Sequence, residues 1–311
     1  MYLQFLGTGA GSPSRFRNVS ALAFKFDAEI WLFDCGEGTQ QQILRTNIRP
    51  GRISRIFISH LHGDHLFGLP GLLSSRSFLG GGAAPLTLYG PVGLRRFVAT
   101  ALELSETTLS YPLTFVELDG PVAQFDSERF TITARLLEHR IASYGYRLEE
   151  KPRPGQLDID ALRALGVPEG ALLGRLKRGE TITLADGRRL NGADFIRAPR
   201  PGKIITLCGD SRPCAATLTL AAGADWLVHE ATFLEEQASQ ARQFYHSTVA
   251  QACQLARDAG VKRLLLNHIS ARFGSEAPLL AEALPLFPAT TLARDFLEID
   301  LSAVNESKES R

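Results

Sequence analysis

Three histidines and an aspartate fall within six consecutive positions of the stretch ISHLHGDHLFGLPG, residues 58–71. The run ISRIFIS (53–59) just before it is β-branched and apolar, so the chain is expected to arrive there as a strand. In an extended segment residues 60, 62 and 64 project to one side, and His65 follows as the chain turns at Gly63 into a helix. A continuous helix would bring 60 and 64 together but send His62 to the opposite face. Only the extended reading lets His60, His62, Asp64 and His65 converge on one small volume. Imidazole and carboxylate donors without a thiolate suit zinc in a catalytic site, and manganese or iron as well. The bland alternative is a polar turn with solvated histidines.

The other four histidines decide between the two. His139 ends the run RFTITARLLEH, and His268 sits near the end of RLLLNHIS. Asp210 closes KIITLCGD, and His229 and Glu230 close DWLVHEAT. His246 precedes a helix expected over 247–259, with Ser247 or Thr248 as its N-cap and Gly260 as its stop. These residues recur at strand ends and a helix start, the edges where α/β folds carry their chemistry. Other strands are expected at YLQFLG and over 21–26, 30–34 and 86–90, and other helices over 37–47, 64–79, 91–104 and 212–222. Hairpin-like pairs early and βα alternation late imply a layered α/β protein with mixed sheets.

The chain has 311 residues, 44% of them hydrophobic, enough for a substantial core. No segment approaches the ~20 apolar residues of a membrane span, and the start lacks a basic region of the signal-peptide kind. Cysteines at 35, 208, 214 and 253 form no CxxC pair and are expected as buried thiols, which makes the cytoplasm the expected location. The formal net charge of +1 hides an asymmetry. Between Lys151 and Lys203, eleven Lys and Arg stand against six Asp and Glu. The stretch from about 148 to 202 is also punctuated by glycine and proline, with short amphipathic pieces such as LDIDALRAL, and reads as an excursion from the main body. A basic excursion on a neutral-to-acidic body points to a polyanionic partner; a solvated basic loop is the alternative.

HLHGDH together with His139, Asp210 and His268 resembles the metallo-β-lactamase superfamily. The stretches FLGTGAGSPSRFRNVSA (5–21), LFDCGEGTQQQ (32–42), HEATF (229–233), HST (246–248) and NHISARF (267–273) resemble, more narrowly, the ribonuclease Z family. That resemblance implies an α/β fold, a four-layer αββα sandwich with metals at one rim and a protruding flexible arm. It implies a single domain with the arm inserted at about 148–202. It makes His60, His62 and His139 ligands of one metal, Asp64, His65 and His268 ligands of a second, and Asp210 the bridge: two Zn2+ per subunit, with Mn2+ or Fe2+ also suited. It assigns Asp64 as general base and His246 as proton donor, with Glu230 keeping His246 protonated. His229 is expected to support the site without ligating, and Asp34 to hydrogen-bond a ligating imidazole.

The activity implied is removal of the 3′ trailer from precursor tRNA by a homodimer. The stretch GVPEGALLGRLKRGE (166–180) resembles the family's arm, so Arg175, Lys177 and Arg178 would meet tRNA phosphates, and Arg272 a phosphate or the RNA 3′ end. Two positions depart from the family pattern: Gly170-Ala171 stands where Gly-Pro is usual, and Phe273 replaces a common tyrosine. Two other readings stay open at this point. One is a dinuclear phosphodiesterase or exoribonuclease acting on other RNA or small diesters, which would need no remote grip. The other is a metal-less RNA-binding relative, against which the intact set of donor residues argues.

Overall fold

Strands Ala21–Phe26 and Glu29–Phe33 are apolar on both faces, but the two faces differ in size. Ala21, Ala23, Ile30 and Leu32 pack into a cluster with helical Ile43, Leu69 and Leu73. Phe24, Phe26, Trp31 and Phe33 point the other way, into a layer of rings. There Phe33 stacks on Phe57 at 4.9 Å and Phe57 on Tyr89 at 4.6 Å. Period-two alternation puts small and aliphatic side chains under helices and aromatic ones between sheets. Tyr146 crosses that layer from the other sheet. Its ring lies 5.2 Å from Phe57, and its hydroxyl donates to the Ile58 carbonyl at 2.7 Å, two residues before His60.

The computed structural model describes residues 1–79, 83–152, 155–199 and 201–302. Two seven-stranded sheets face each other. The first runs in the order Glu298–Asp300, Tyr2–Gly7, Ala21–Phe26, Glu29–Phe33, Ile53–Phe57, Leu86–Pro91, Leu113–Leu118, and is mixed, with its last four strands parallel. The second runs Thr290–Leu292, Leu264–Asn267, Trp226–Glu230, Ile204–Leu207, Ser143–Glu150, Phe130–Leu137, Val122–Asp126, with its first four strands parallel. Helices Val249–Asp258 and Ala277–Leu286 cover the second sheet through Val249, Ala252, Ala256 and Leu279. The result is the expected αββα layering.

Several expectations need correction. The helix expected over 64–79 is two helices, Gly63–Leu66 and Leu69–Phe78. Pro70 sits in the first turn of the second, where its missing N–H is harmless. At Gly68 a Cβ would lie 2.0 Å from the Gly36 carbonyl oxygen, so the close approach of the two loops needs glycine. Asp64 therefore belongs to a helical turn, and the extended segment ends at His62 (φ −67°, ψ 149°). Thr248, not Ser247, caps the helix Val249–Asp258, reciprocally with Gln251. The four thiols are free, but only Cys35 and Cys253 are buried; Cys208 and Cys214 are partly exposed.

The chain divides into two units, the second made of Asp126–Thr131 and Glu149–Lys203. This second unit has more structure than its glycine and proline punctuation suggests. Helices Ile159–Ala164 and Ala171–Lys177 and the hairpin Thr181–Thr183/Arg189–Asn191 enclose a small core of Leu157, Leu162, Val167, Leu176 and Ile182. Ala171 opens its helix after Gly170 (φ 124°), so a good helix former stands at a position that also suits proline. Arg153, Pro154 and Arg200 of the expected arm lie outside the described residues.

Gly36 and Asp64 test this packing. A Cβ on Gly36 would lie 2.3 Å from the Asp64 carbonyl oxygen. Gly36→Ala should cost about 1–3 kcal/mol by chemical denaturation, as overpacking does. Gly274→Ala, whose added Cβ meets no described atom within 4 Å, should stay within ~0.5 kcal/mol.

Candidate metal centre

Seven side chains from both sheets converge where strands end. His60 and His62 follow strand Ile53–Phe57 of the first sheet, and Asp64 and His65 come from the helical turn after them. His139, Asp210 and His268 follow strands Phe130–Leu137, Ile204–Leu207 and Leu264–Asn267 of the second. His60, His65, Asp210 and His268 are buried. His60, His62 and His139 form one group whose ligand atoms lie within 4.8 Å of one another, and Asp64, His65 and His268 form another. Asp210 Oδ2 faces both: it is 3.7 Å from His60 Nε2, 3.4 Å from His65 Nε2 and 3.2 Å from His268 Nε2.

The second nitrogen of each buried imidazole is held by protein, in two matching relays. His65 Nδ1 donates to Asp34 Oδ2 at 2.7 Å. His60 Nδ1 reaches the same carboxylate through Ser59, whose Oγ lies 2.9 Å from the imidazole and donates to Asp34 Oδ2 at 2.9 Å. On the other side His246 Nδ1 donates to Glu230 Oε1 at 2.8 Å. His268 Nδ1 reaches Glu230 through Thr232, with distances of 2.9 Å to Thr232 Oγ1 and 2.6 Å from there to Glu230 Oε2. His139 Nδ1 donates to the Tyr245 carbonyl at 2.9 Å. These bonds fix the tautomers and aim the Nε2 lone pairs of His60, His65, His139 and His268 at the centre.

A metal fits that arrangement. His60 Nε2 is buried without a hydrogen-bond partner among the described residues. His65 Nε2 and His268 Nε2 lie 3.3 Å apart with their other nitrogens committed, so neutral rings would set lone pair against lone pair. A cation is what such a pair requires. The electrostatics agree: burial opposes charge on His65, but Asp210 and Asp34 outweigh it and raise the imidazole well above its ordinary value. Burial also works against the Asp210 carboxylate, yet His268 and His65 hold it well below the usual carboxylate range.

His246 lies beside this centre, its ring stacked on His268 at 5.4 Å between centroids. Burial alone would lower its pKa, but the Glu230 carboxylate overcomes that and raises it to about 9. A cavity of ≈ 300 Å3 opens over the centre, lined by Gly11, Asp64, His246, Phe233, Arg140 and Arg272 among others. Gly11 N donates to Asp64 Oδ2 at 2.8 Å, which gives the glycine-rich FLGTGAG turn a local purpose. Arg272 leans over the Phe233 ring at 4.7 Å and donates to Gln240 and Ser270. Phe273 packs against the helix-covered core of the second sheet. His229 is buried, contacts the Glu230 carbonyl and joins none of the donor groups among the described residues. Arg175 and Lys177 lie in helix Ala171–Lys177 with Arg178 as its C-cap; Arg175 and Arg178 both pair with Glu180 at the surface.

Ser59, Thr232, Tyr245, Gly11 and Arg140 went unassigned from sequence. Ser59 adjoins the histidine cluster and Thr232 lies inside HEAT, so adjacency was the available signal. Tyr245 acts through its carbonyl, which leaves no residue signature.

Fold and donor set together define a metal-dependent hydrolase of the metallo-β-lactamase fold. Ribonuclease Z of Limosilactobacillus fermentum is 55% identical over 306 residues, 97% of this chain and 98% of that protein. Ribonuclease Z of Enterococcus faecalis is 50% identical over 313 residues, 98% and 99% of the two chains. The crystal structure of human tRNase Z, short form, matches with a TM-score of 0.73 at 32% identity, over 97% of this chain and 100% of that one. YhfI of Bacillus subtilis, a metallo-β-lactamase fold protein, matches with a TM-score of 0.67 at 19% identity and speaks for the fold alone. A family model described as Anti-Pycsar protein Apyc1 matches residues 1–103, which include His60 to His65 but not the later donors. The chain belongs to the ribonuclease Z family.

Asp34 serves two imidazoles at once, so Asp34→Ala should weaken metal retention by about 10–100-fold in a chelator titration. Retention equal to wild type would mean that Asp34 is only a turn residue.

Proposed function

We propose that the chain removes the 3′ trailer from precursor tRNA with two metal ions per subunit, leaving a 3′-hydroxyl on the tRNA and a 5′-phosphate on the trailer. Membership of the ribonuclease Z family supports the endoribonuclease activity and the tRNA substrate. The observation that carries the two-ion reading is Asp210 Oδ2, which faces both donor groups. His60, His62 and His139 would hold one ion, Asp64, His65 and His268 the other, and Asp210 would touch both. Nitrogen and oxygen donors fit Zn2+, with Mn2+ or Fe2+ as substitutes. Ions held there would neutralise charge at the phosphodiester and would lower the pKa of water in the cleft toward ~7.

The protein's own groups manage the protons. Asp64 accepts the proton of the attacking water as it adds to phosphorus. Burial works against its charge, but His268 and His65 keep the carboxylate ionised, well below its usual range. As the bond from phosphorus to the leaving 3′-oxygen breaks, His246 gives that oxygen a proton. The helix beginning at Thr248 would disfavour an imidazolium at its N-terminus, and buried Glu230 offsets that. Arg140 and Arg272 border the cavity, and contact with phosphate would fall to them.

Specificity for tRNA comes from the second unit, which grips the tRNA body. Arg175, Lys177 and Arg178 are exposed there, and the two arginines share a single surface carboxylate. Surface pairs of this kind are worth ~1 kcal/mol or less, so phosphate displaces them readily. The homodimer is part of the same reading and rests on the family resemblance; the cytoplasmic location rests on cysteines without a disulfide framework. Among the described residues no helix is long and apolar enough to cross a membrane.

Cleavage of a 3′-extended tRNA with both new ends mapped tests this. Asp64→Ala should be inactive; activity equal to wild type would sink the mechanism. His246→Ala should lose ~10²–10⁴-fold in kcat with its metal content unchanged. Mutating Arg175, Lys177 and Arg178 together to alanine should raise KM for tRNA and leave a small diester untouched; unchanged KM would remove the arm from recognition.

The pH profile gives a separate prediction. His246 must be protonated to act, so activity falls as pH rises through its pKa. Without the carboxylate that raises it, Glu230→Gln should shift that alkaline limb to lower pH. A limb that stays in place would assign it to another group.

A further inference from the structure

Tyr245 ends helix Ala238–Phe244 in the left-handed conformation, φ 61° and ψ 42°. Glycine usually fills such a position, and a bulky residue there is strained. The conformation turns the Tyr245 carbonyl onto His139 Nδ1 at 2.9 Å, while the next residue is His246. One peptide segment thus orients a metal-facing imidazole and the proton-donor imidazole, whose rings lie 5.2 Å apart.

The ring of Tyr245 does not float. The Arg212 guanidinium lies over it at 4.4 Å and is ion-paired with Glu138. Arg212 N also donates to the Glu138 carbonyl at 3.0 Å. Glu138 directly precedes His139, and Arg212 lies two residues after Asp210. A loop of contacts therefore closes from His139 through Glu138, Arg212 and Tyr245 back to His139. The same turn is held from behind: Ser211 N donates to Glu230 Oε1 at 3.0 Å, and Ser247 Oγ to the Ser211 carbonyl at 2.7 Å.

We propose that Arg212 is a positioning residue: by clamping Glu138 and the Tyr245 ring together it holds the Tyr245 carbonyl on His139 and sets the spacing of His139 from His246. This rests on the two-metal reading of the site. Loosening the clamp frees the His139 ring to rotate about its side-chain bonds. The group it forms with His60 and His62 then loses a fixed donor, and His246 loses its alignment. The competing role for Arg212 is direct contact with RNA, since it also lines a groove of ≈ 630 Å3 with Arg242 and His246.

Three readouts on the full chain separate these roles: release of zinc to a chelator, kcat and KM on precursor tRNA, and turnover of bis(4-nitrophenyl) phosphate. Arg212→Ala should lower turnover of both substrates by about tenfold and release metal at lower chelator concentration, as loss of outer support at metal sites does. KM for tRNA should stay within about twofold of wild type, since the lost contact is not one to RNA. Tyr245→Gly keeps the helix end, because glycine is at ease at this φ, and should reproduce the defect. The double variant should be no worse than either single one, the signature of residues acting as a unit. Arg212→Lys restores the ion pair without the flat stacking and should recover only part. A raised KM for tRNA, with metal release and small-diester turnover unchanged, overturns the proposal in favour of RNA contact. Additive losses in the double variant overturn it too. A wild type without ribonuclease activity would refute the functional reading alone, and the chelator titration would still report on the clamp.

Discussion

One buried carboxylate oxygen organises the site. Asp210 Oδ2 has four imidazole nitrogens within 3.9 Å, from His60, His65, His268 and His246. Such a charge, only 3% exposed, is untenable alone and is stable only when positive charge stays beside it. The surroundings are built to admit that charge in one place. Asp34 with Ser59, and Glu230 with Thr232, each hold one imidazole directly and one through a hydroxyl. The two relays leave the Nε2 atoms of His60, His65 and His268, which face Asp210, free to share a cation, whereas the His246 nitrogen nearest Asp210 is the one held by Glu230. They also give the carboxylates different work: Asp34 holds His65 and His60, whereas Glu230 holds His268 and His246, the proposed proton donor.

The sandwich makes this convergence possible. Its donors arrive from the ends of strands in two different sheets, so the distance between sheets sets the width of the site. The stacked rings of Phe33, Phe57 and Tyr89, met edge-on by Tyr146 from the other sheet, fix that distance, and the Tyr146 hydroxyl ties it to the backbone just ahead of His60. Three of the six described non-glycine residues with positive φ sit at the same rim. Asp34, Tyr245 and His268 all have positive φ, at 59°, 61° and 55°. None is glycine: Asp34 and His268 turn side chains into the site, and the Tyr245 ring lies under Arg212. Packing elsewhere sustains that cost, as expected where geometry serves chemistry.

Much of this was legible in the sequence. HLHGDH after a β-branched run located the centre, and polar residues at strand ends supplied the remaining donors. What escaped has physical reasons. Asp64 looked extended because periodicity cannot reveal that a four-residue helical turn begins at Gly63. The break at Gly68 depends on a loop more than thirty residues earlier in the chain. Strand Val122–Asp126 is a half-exposed edge without an apolar run, and helix Ala277–Leu286 contains Pro278 and Pro285, so both lacked the usual pattern. The stretch from about 148 to 202 read as an irregular excursion because its core is only three leucines, a valine and an isoleucine spread among turn residues. Ser59 and Thr232 are ordinary residues whose roles exist only in three dimensions.

The central claim is that two cations share Asp210 in a nuclease site. Anomalous scattering from zinc-loaded crystals tests it most directly. The account predicts two peaks, one among His60, His62 and His139 and one among Asp64, His65 and His268, with Asp210 in contact with both. A single peak, or two peaks of which only one touches Asp210, would contradict it.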